Sequence, residues 1–298
     1  MTGVATVRKP KGSTRHRIEN RAIPILRWTL IVLTVLACAG PLLYGVLLSV
    51  RPLTQVINEP LAIFPPLSEL DFSSYATALK DESQGGFGLA RFMGNTLYVA
   101  IGTVILAILC SVLGAYAAVR LRFFGRDTVN GMFLGVYLFP GIVLAVPLFV
   151  VFSRIGLRGE LIGLVLIYLA QTVPVALYML RNYFLAVPES IEEAAMIDGC
   201  SRLQVIRRIV LPTAMPGIIS TGLYVFMIAW NEFLYALLFL ADDRDRWTVS
   251  LGVAQLSDFA VPATVLMAGS IAMTIPIVIV FIMAQRLLLT GLTAGAEK

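Results

Sequence analysis

Six long, mainly apolar stretches dominate this chain of 298 residues, of which 58% are hydrophobic and 14% charged. A soluble domain of this size has no interior large enough to bury so much apolar surface, whereas a membrane-spanning helix needs about 20 such residues. Transmembrane β-strands would be about ten residues long with alternating polarity. The sequence therefore predicts an all-α integral membrane protein. Its six transmembrane helices are predicted at Ile25–Val50, Thr96–Val119, Thr128–Phe152, Leu161–Leu180, Gly217–Leu240 and Ala263–Ala284.

The segments between these spans differ in length and character. A basic tail covers residues 1–24, and a long external loop with prolines and the turn-rich sequence DESQGGFG covers residues 51–91. Residues 92–288 form the predicted core domain of spans two to six, followed by a tail at 289–298. The loop at 51–91 is open to two interpretations, contact with an external partner or a solvated connection.

Positive charge is distributed unequally between the two sides on which alternate spans place these segments. The two tails and the loops at 120–127 and 181–216 carry 16 Lys and Arg, and the other three loops carry 7. Because short loops rich in Lys and Arg stay in the cytoplasm, both termini and the loop at 187–216 are predicted to be cytoplasmic. The basic tail is expected to meet anionic lipids or only to set the topology, and no nucleic-acid partner is needed to explain the charge.

Motifs for catalysis and for direct cofactor binding are absent from the sequence. None of the four lysines follows a glycine, so the chain has no phosphate-binding loop of the G-x-x-x-x-G-K-[ST] type. Its single histidine, His16, lies in the basic tail, and its three cysteines show no pairing or metal-ligand spacing. We therefore expect no enzyme activity, no metal site and no directly bound cofactor.

The loop at 187–216 is the longest charged interruption in the second half of the chain. Pro188 suits a first helical turn, Ser190 and Glu193 have the spacing of a capping box, and Gly199 suits a left-handed helix end. Two short helices are predicted, lying outside the bilayer. Physical reasoning leaves two roles open for them: resting on lipid headgroups or docking against a protein.

The same loop carries a long, spaced pattern. A Glu-Ala-Ala triplet is followed after three residues by Gly, after nine more by Ile, and after one more by Leu-Pro. The chain resembles the carbohydrate-uptake branch of ABC-importer permeases, whose EAA loop has this pattern. The matching positions, with the aspartate that precedes the glycine, are Glu193, Ala194, Ala195, Asp198, Gly199, Ile209, Leu211 and Pro212.

Three further segments support this resemblance, which covers roughly residues 24–298. Gly114–Arg120 resembles the end of the family's second helix, Trp230–Phe233 its fifth-helix motif, and Gln285–Gly295 the tail of the MalG-like member of a permease pair. The resemblance implies a type I ABC importer fold in the bacterial inner membrane.

The resemblance also implies partners for this chain. These are a second, MalF-like permease, an external sugar-binding protein, and a cytoplasmic ATPase dimer that binds ATP and Mg²⁺. The EAA loop would then form a coupling helix seated in the ATPase, with Glu193 facing a basic or donor group. The implied cargo is a di- or oligosaccharide, a polyol or a glycerol phosphate.

Polar residues inside the spans are candidates for the translocation pathway. Glu232 is the only acid within a predicted span, and an exposed charge there costs about 2.5–3.5 kcal/mol. With Trp230 and Asn231 it lines the pathway or, alternatively, joins span five to its neighbours. Tyr168 and Gln171 share one face of span four and are open to the same two interpretations.

Two other classes of protein remain as alternatives. A self-contained secondary transporter would show internal repeats and several buried ionisable groups, and the sequence shows no convincing repeat. A scaffold subunit would contribute no pathway at all. An ATPase that co-purifies with the chain distinguishes the importer permease from the secondary transporter.

Overall fold

The computed structural model describes residues 14–137, 140–257 and 261–296, and every regular element within these ranges is helical. Residues 1–13 of the predicted basic tail and the last two residues lie outside the described ranges. The α-helices in chain order are α1 (Thr14–Ser49), α2 (Leu53–Asn58), α3 (Ser73–Leu79), α4 (Leu89–Arg120), α5 (Arg126–Tyr137), α6 (Gly141–Arg154), α7 (Leu161–Leu185), α8 (Glu189–Ile197), α9 (Arg202–Val205), α10 (Leu211–Thr213), α11 (Met215–Asn231), α12 (Leu234–Leu240), α13 (Val249–Gln255) and α14 (Ala263–Ala296).

Four unbroken helices in the described part of the chain are long and apolar enough to cross a bilayer. They correspond to predicted spans one, two, four and six, and each exceeds the roughly 20 residues that a span requires. Their spanning portions are Ile23–Ser49, Leu89–Arg120, Leu161–Leu185 and Ala263–Arg286.

The sequence predicted one helix for each of spans three and five, and the structure divides each of them into two helices. In span three, α5 and α6 flank Pro140, which has extended backbone angles and no N–H to continue a helix. In span five, α11 ends after 17 residues, and the extended backbone at Glu232 separates it from α12. Broken helices survive in a bilayer only where other groups satisfy the freed backbone atoms.

The central bundle consists of α4, α7, α11 and α14. The main packing is between α4 and α7, with α11 lying against both and α14 against α11. The first helix packs along α14 and is buried over only 6% of its apolar span. Most of α1 thus offers apolar side chains to lipid or to another membrane subunit.

The segment at 51–91 is more ordered than its turn-rich sequence indicated. It contains α2 and α3, and α3 packs on α14 and α4. Arg51 is 2% exposed and its guanidinium donates to the carbonyl of Glu59 at 2.9 Å. The predicted segment boundaries also shift, because α1 already begins at Thr14, α4 begins at Leu89, and α14 continues through the predicted C-terminal tail to Ala296.

Candidate functional site

The predicted loop at 187–216 folds as two short helical pieces joined at Gly199. This glycine has a φ of +90°, the left-handed conformation that favours glycine after a helix end. The predicted capping box at Ser190 and Glu193 is wrong, because α8 begins at Glu189 and Ser190 already lies inside it. A capping box occurs instead at Ser201 and Gln204, which start α9.

The second piece lies across the end of span five rather than continuing it. The segment Arg202–Thr213 makes an angle of 78° with α11. A π-helical turn at Ile206–Val210 precedes Pro212, which cannot donate the backbone hydrogen bond of a regular helix. The loop therefore keeps a fixed, bent shape at this end of the molecule, which we call the α8 end.

The residues of the EAA pattern separate into an outward and an inward group. Ile209 and Leu211 are half-buried and pack on the core, as does Ala195, whereas Asp198 and Pro212 are exposed. The outward surface of α8 includes Glu193 and Ala194, both exposed, and Ile197, which is 86% exposed.

Glu192 is the functional candidate that the sequence did not reveal. It is 2% exposed, although it lies on a short helix whose other side chains mostly face outward. Both Nε and Nη2 of Arg120 lie 2.8 Å from its Oε1, and the hydroxyl of Tyr116 donates to its Oε2 at 3.2 Å. These three side chains join α8 to the end of α4.

Glu232 lies at the break in span five and satisfies the groups that the break leaves free. Its carboxylate accepts the backbone N–H groups of Tyr235 at 2.9 Å and Ala236 at 3.2 Å, so it caps the start of α12. It also accepts the hydroxyl of Tyr168 at 2.6 Å, and its own carbonyl accepts the hydroxyl of Ser250 at 2.5 Å. One carboxylate thereby holds α7, α12 and the break together.

The other predicted intramembrane residues are placed differently from one another. Trp230 is 1% exposed, stacks on Phe226, and donates from Nε1 to the carbonyl of Met273 at 3.2 Å. Gln171 is half-buried on α7, and the hydroxyl of Tyr235 on α12 donates to the carbonyl of Gly141 at 2.7 Å. Asn231 is exposed and its amide donates to a carbonyl of its own helix. The sequence left a pathway role and a helix-interface role open for these residues, and the fold brings together chiefly Tyr168 and Glu232.

The opposite end of the molecule, which we call the loop-one end, is joined by ion pairs between the segments 51–91, 153–160 and 241–262. Arg91 pairs with Asp81 at 3.1 Å and also with Asp245. Arg246 pairs with Glu160 at 2.5 Å, which raises the pKa of its guanidinium above the ordinary value. All these side chains are substantially exposed.

A polar cavity of 240 Å³ opens at this end, between the segments 51–91 and 241–262. It is lined by ion-paired side chains that include Asp81, Arg91 and Arg244. Within the described residues no group of His, Cys, Asp or Glu side chains is arranged to hold a metal ion. The cavity thus belongs to the paired surface of the loop-one end.

Comparison with protein families decides what kind of molecule has these two ends. The family model described as "Binding-protein-dependent transport system inner membrane component" matches residues 110–293. This chain belongs to that family. The range includes the whole of α8, the broken span five and most of α14.

Individual members of the family are similar over most of the chain. The inner membrane ABC transporter permease protein YcjP of Escherichia coli K12 is 41% identical over 215 residues, covering 71% of this chain and 76% of the relative. The trehalose/maltose transport system permease protein MalG of Thermococcus litoralis is 34% identical over 269 residues, covering 90% and 94%. The predicted resemblance to carbohydrate-uptake ABC permeases is confirmed.

A solved structure has the same fold. A chain of a bacterial ABC transporter involved in the import of the acidic polysaccharide alginate superposes with a TM-score of 0.76 at 22% identity, covering 93% of this chain and 99% of that chain. The all-α, multi-pass membrane fold class predicted from the sequence is therefore confirmed, with spans three and five corrected as described above.

Proposed function

We propose that this chain is one of two permease subunits of an ATP-driven sugar importer and forms half of its translocation pathway. Membership of the binding-protein-dependent transport family supports this role. The cargo class is inferred from relatives such as the MalG protein, whose name refers to trehalose and maltose. We infer a di- or oligosaccharide or a related polyol or glycerol phosphate.

The observation that carries the coupling role is the surface of α8. The helix has three acids, Glu189, Glu192 and Glu193, and no basic residue. A helix that rests on headgroups presents Lys and Arg to anionic lipid, so an acidic helix is poorly suited to that position. Its exposed Ile197 and Ala194 instead suit a protein partner with an apolar cleft and a basic rim. We therefore favour protein docking over the lipid-bound alternative.

The partner at this surface is proposed to be a cytoplasmic ATPase dimer, which binds ATP and Mg²⁺. The excess of Lys and Arg on this side supports a cytoplasmic location for the α8 end and for both termini. Glu193 is then free to face a basic group of the ATPase. Because this chain has no phosphate-binding loop, ATP hydrolysis is assigned to that partner.

The remaining partners are assigned to other surfaces. An external sugar-binding protein is proposed to dock at the loop-one end. A bacterial alginate ABC transporter, one chain of which has a similar fold at a TM-score of 0.65, has been solved in complex with an alginate pentasaccharide-bound periplasmic protein. A second, MalF-like permease and membrane lipids are proposed to cover the apolar surfaces of the bundle, including the exposed length of α1.

Inside the membrane we assign structural and pathway roles to different residues. Glu232, Tyr168 and Trp230 are buried or mutually bonded, which supports a role in holding span five to its neighbours. Asn231 exposes an amide at the same level, and Gln171 is partly exposed, which supports contact with sugar hydroxyls or with the partner permease. An unchanged transport KM and specificity in Asn231→Ala would contradict a sugar contact at that position.

The coupling role is tested by reversing one charge on the surface of α8. Glu193→Lys is expected to abolish uptake and ATPase co-purification in the reconstituted transporter, while binding-protein affinity stays unchanged. Asp127→Lys is the matched control, since Asp127 is an exposed acid at the same end but lies on α5. Gly199→Pro is expected to have the same effect as Glu193→Lys, because proline cannot adopt a φ of +90°. Normal uptake in both variants at normal expression would exclude the coupling role.

A further inference from the structure

Arg120 connects three elements at the α8 end. It is the last residue of α4, and its side chain is 9% exposed. It binds Glu192 of α8 and donates from Nη2 to the carbonyls of Phe184 at 3.2 Å and Val187 at 2.6 Å. The carbonyl of Phe184 lies in the last turn of α7, where a helix leaves its carbonyl groups without helical partners, and that of Val187 follows the helix end. A single guanidinium thus satisfies the end of α7 while holding the carboxylate of α8.

The burial of this pair is costly unless all its bonds are made. Removing a carboxylate and a guanidinium from water is compensated only when the geometry is good and the remaining polar atoms have partners. Here Tyr116 supplies a second bond to the Glu192 carboxylate, and Nη2 of Arg120 also donates to the two carbonyls. The buried pair therefore has one favourable arrangement.

The surroundings of the pair are a continuous apolar cluster. It packs the end of α4 and the end of α7 against the second piece of the loop that follows α8. Coupling between distant sites is carried by packed side chains together with hydrogen-bond and salt-bridge networks. The buried members of the cluster are Val112, Ala115, Tyr116, Val119, Leu177, Leu180, Phe184, Val205, Val210 and Ala214.

We propose that Arg120 and Glu192 are positioning residues that lock α8 to the ends of α4 and α7, so that these elements move as one rigid body. This inference rests on the proposed coupling function, because it concerns how a displacement of α8 reaches the membrane. Glu193 faces the ATPase, and Glu192, one residue earlier, faces the bundle. Adjacent acids on one short helix then have opposite tasks, receiving force and passing it on.

The rigid-body claim is tested by a distance measurement in the complete, reconstituted transporter. Spin labels are attached at Ser190→Cys on α8 and Arg122→Cys beyond α4, both exposed positions, after the native cysteines are replaced. The distance between the labels is expected to be the same in the nucleotide-free and ATP-bound states. A distance that changes between these states in the otherwise native protein would overturn the proposal, since α8 would then move relative to α4.

Coupling is measured with a conservative pair of variants. Glu192→Gln keeps the size of the side chain and removes its charge, and Asp127→Asn makes the same change at an exposed acid of α5, outside the α8 surface. We expect Glu192→Gln to broaden the distribution of distances between the two labels. We also expect it to lower sugar uptake per ATP hydrolysed by about 2- to 30-fold, the range that corresponds to typical changes in coupling free energy. Asp127→Asn should leave both unchanged. Equal uptake per ATP in the two variants would overturn the proposal.

Two results separate this inference from the proposed function. If Glu192→Gln still co-purifies with the ATPase and hydrolyses ATP but transports little sugar, docking is intact and transmission is lost, as expected. If Glu193→Lys retains the ATPase and full uptake, the coupling role of α8 itself fails.

Arg120→Lys keeps the positive charge but not the forked shape of the guanidinium, and its uptake per ATP should lie between those of the native protein and Arg120→Met. An Arg120→Lys variant no better than Arg120→Met would contradict the role assigned to the charge.

Discussion

The two ends of the molecule both use arginine–carboxylate pairs, but they expose them to very different degrees. At the α8 end, the side chains of Arg120 and Glu192 are 9% and 3% exposed. At the loop-one end, those of Arg91 and Asp81 are each 46% exposed. Water and salt weaken the second kind of pair and hardly reach the first. The difference indicates a fixed joint at one end and an adjustable surface at the other.

The loop-one end is closely packed beneath its exposed ion pairs. At the loop-one end Phe92 is 3% exposed and lies against Trp247, and the amide of Asn95 donates to the carbonyl of Trp247 at 3.0 Å. Exposed ion pairs there cover a rigid aromatic layer. An importer that receives a binding protein on one side and an ATPase on the other has use for both solutions, because the first contact must be exchangeable and the second must transmit force.

The largest effect is expected from removing the arginine of the buried pair. Arg120→Met leaves Glu192 charged, buried and without its main partner, which typically lowers the free energy of unfolding by about 3–5 kcal/mol. The measurement is thermal or denaturant unfolding of the detergent-purified protein. Arg122→Met is the matched control, since Arg122 is exposed two residues away and should change stability little. Similar stabilities for the two variants would remove the distinction between the ends.

The sequence predicted the membrane spans, but not all of the breaks within them. Hydropathy identified four of the spans because each is a long apolar run. The unequal number of Lys and Arg in alternate loops predicted the orientation of these spans. The break at Pro140 had a visible signal, since proline ends helices, yet the apolar run continues on both sides. The break at Glu232 had no such signal, because it depends on Tyr168 and Ser250, which are distant in sequence.

Glu192 was missed for a related reason. The spaced pattern singled out Glu193, and the sequence gives two adjacent acids with no indication of which one turns inward. Its partners, Tyr116 and Arg120, lie more than 70 residues earlier in the chain. Only the close packing of α4 against α7 brings them to α8. Pattern reasoning thus located the outward surface of α8, and tertiary contacts define its inward attachment.

The cost of adding one methyl group compares how tightly the two ends are packed. A Cβ at Gly252 would overlap the ring of Phe92, which is buried, so Gly252→Ala should cost about 1–3 kcal/mol of stability. A Cβ at Gly217 would overlap the ring of Tyr183, but that side chain is 40% exposed and can swing outward. Gly217→Ala should therefore cost less. Gly94→Ala, which meets no atom within 4 Å, is the control for the helix preference of alanine.

A larger loss of stability in Gly217→Ala than in Gly252→Ala would reverse the expected difference in packing between the two ends. It would mean that the contact of α11 with α7 is as unyielding as the aromatic layer, and that the α8 end is fixed by packing as well as by charge. The unfolding midpoints of the three variants, measured in one detergent, distinguish these cases.

The smallest effect is expected at the exposed pair of the loop-one end. Arg91→Gln removes the partner of Asp81 and Asp245, but exposed pairs of this kind contribute only about 0–1 kcal/mol. Because salt screens charges across distances of about 3 Å at 1 M ionic strength, the difference from the native protein should shrink further as salt is raised. The measurement is the unfolding midpoint of both proteins at low and high salt. A loss that is large and independent of salt would show that this pair is as structural as Arg120 and Glu192, and the loop-one end would then be a second fixed joint, which a docking binding protein could not reshape without breaking the pair.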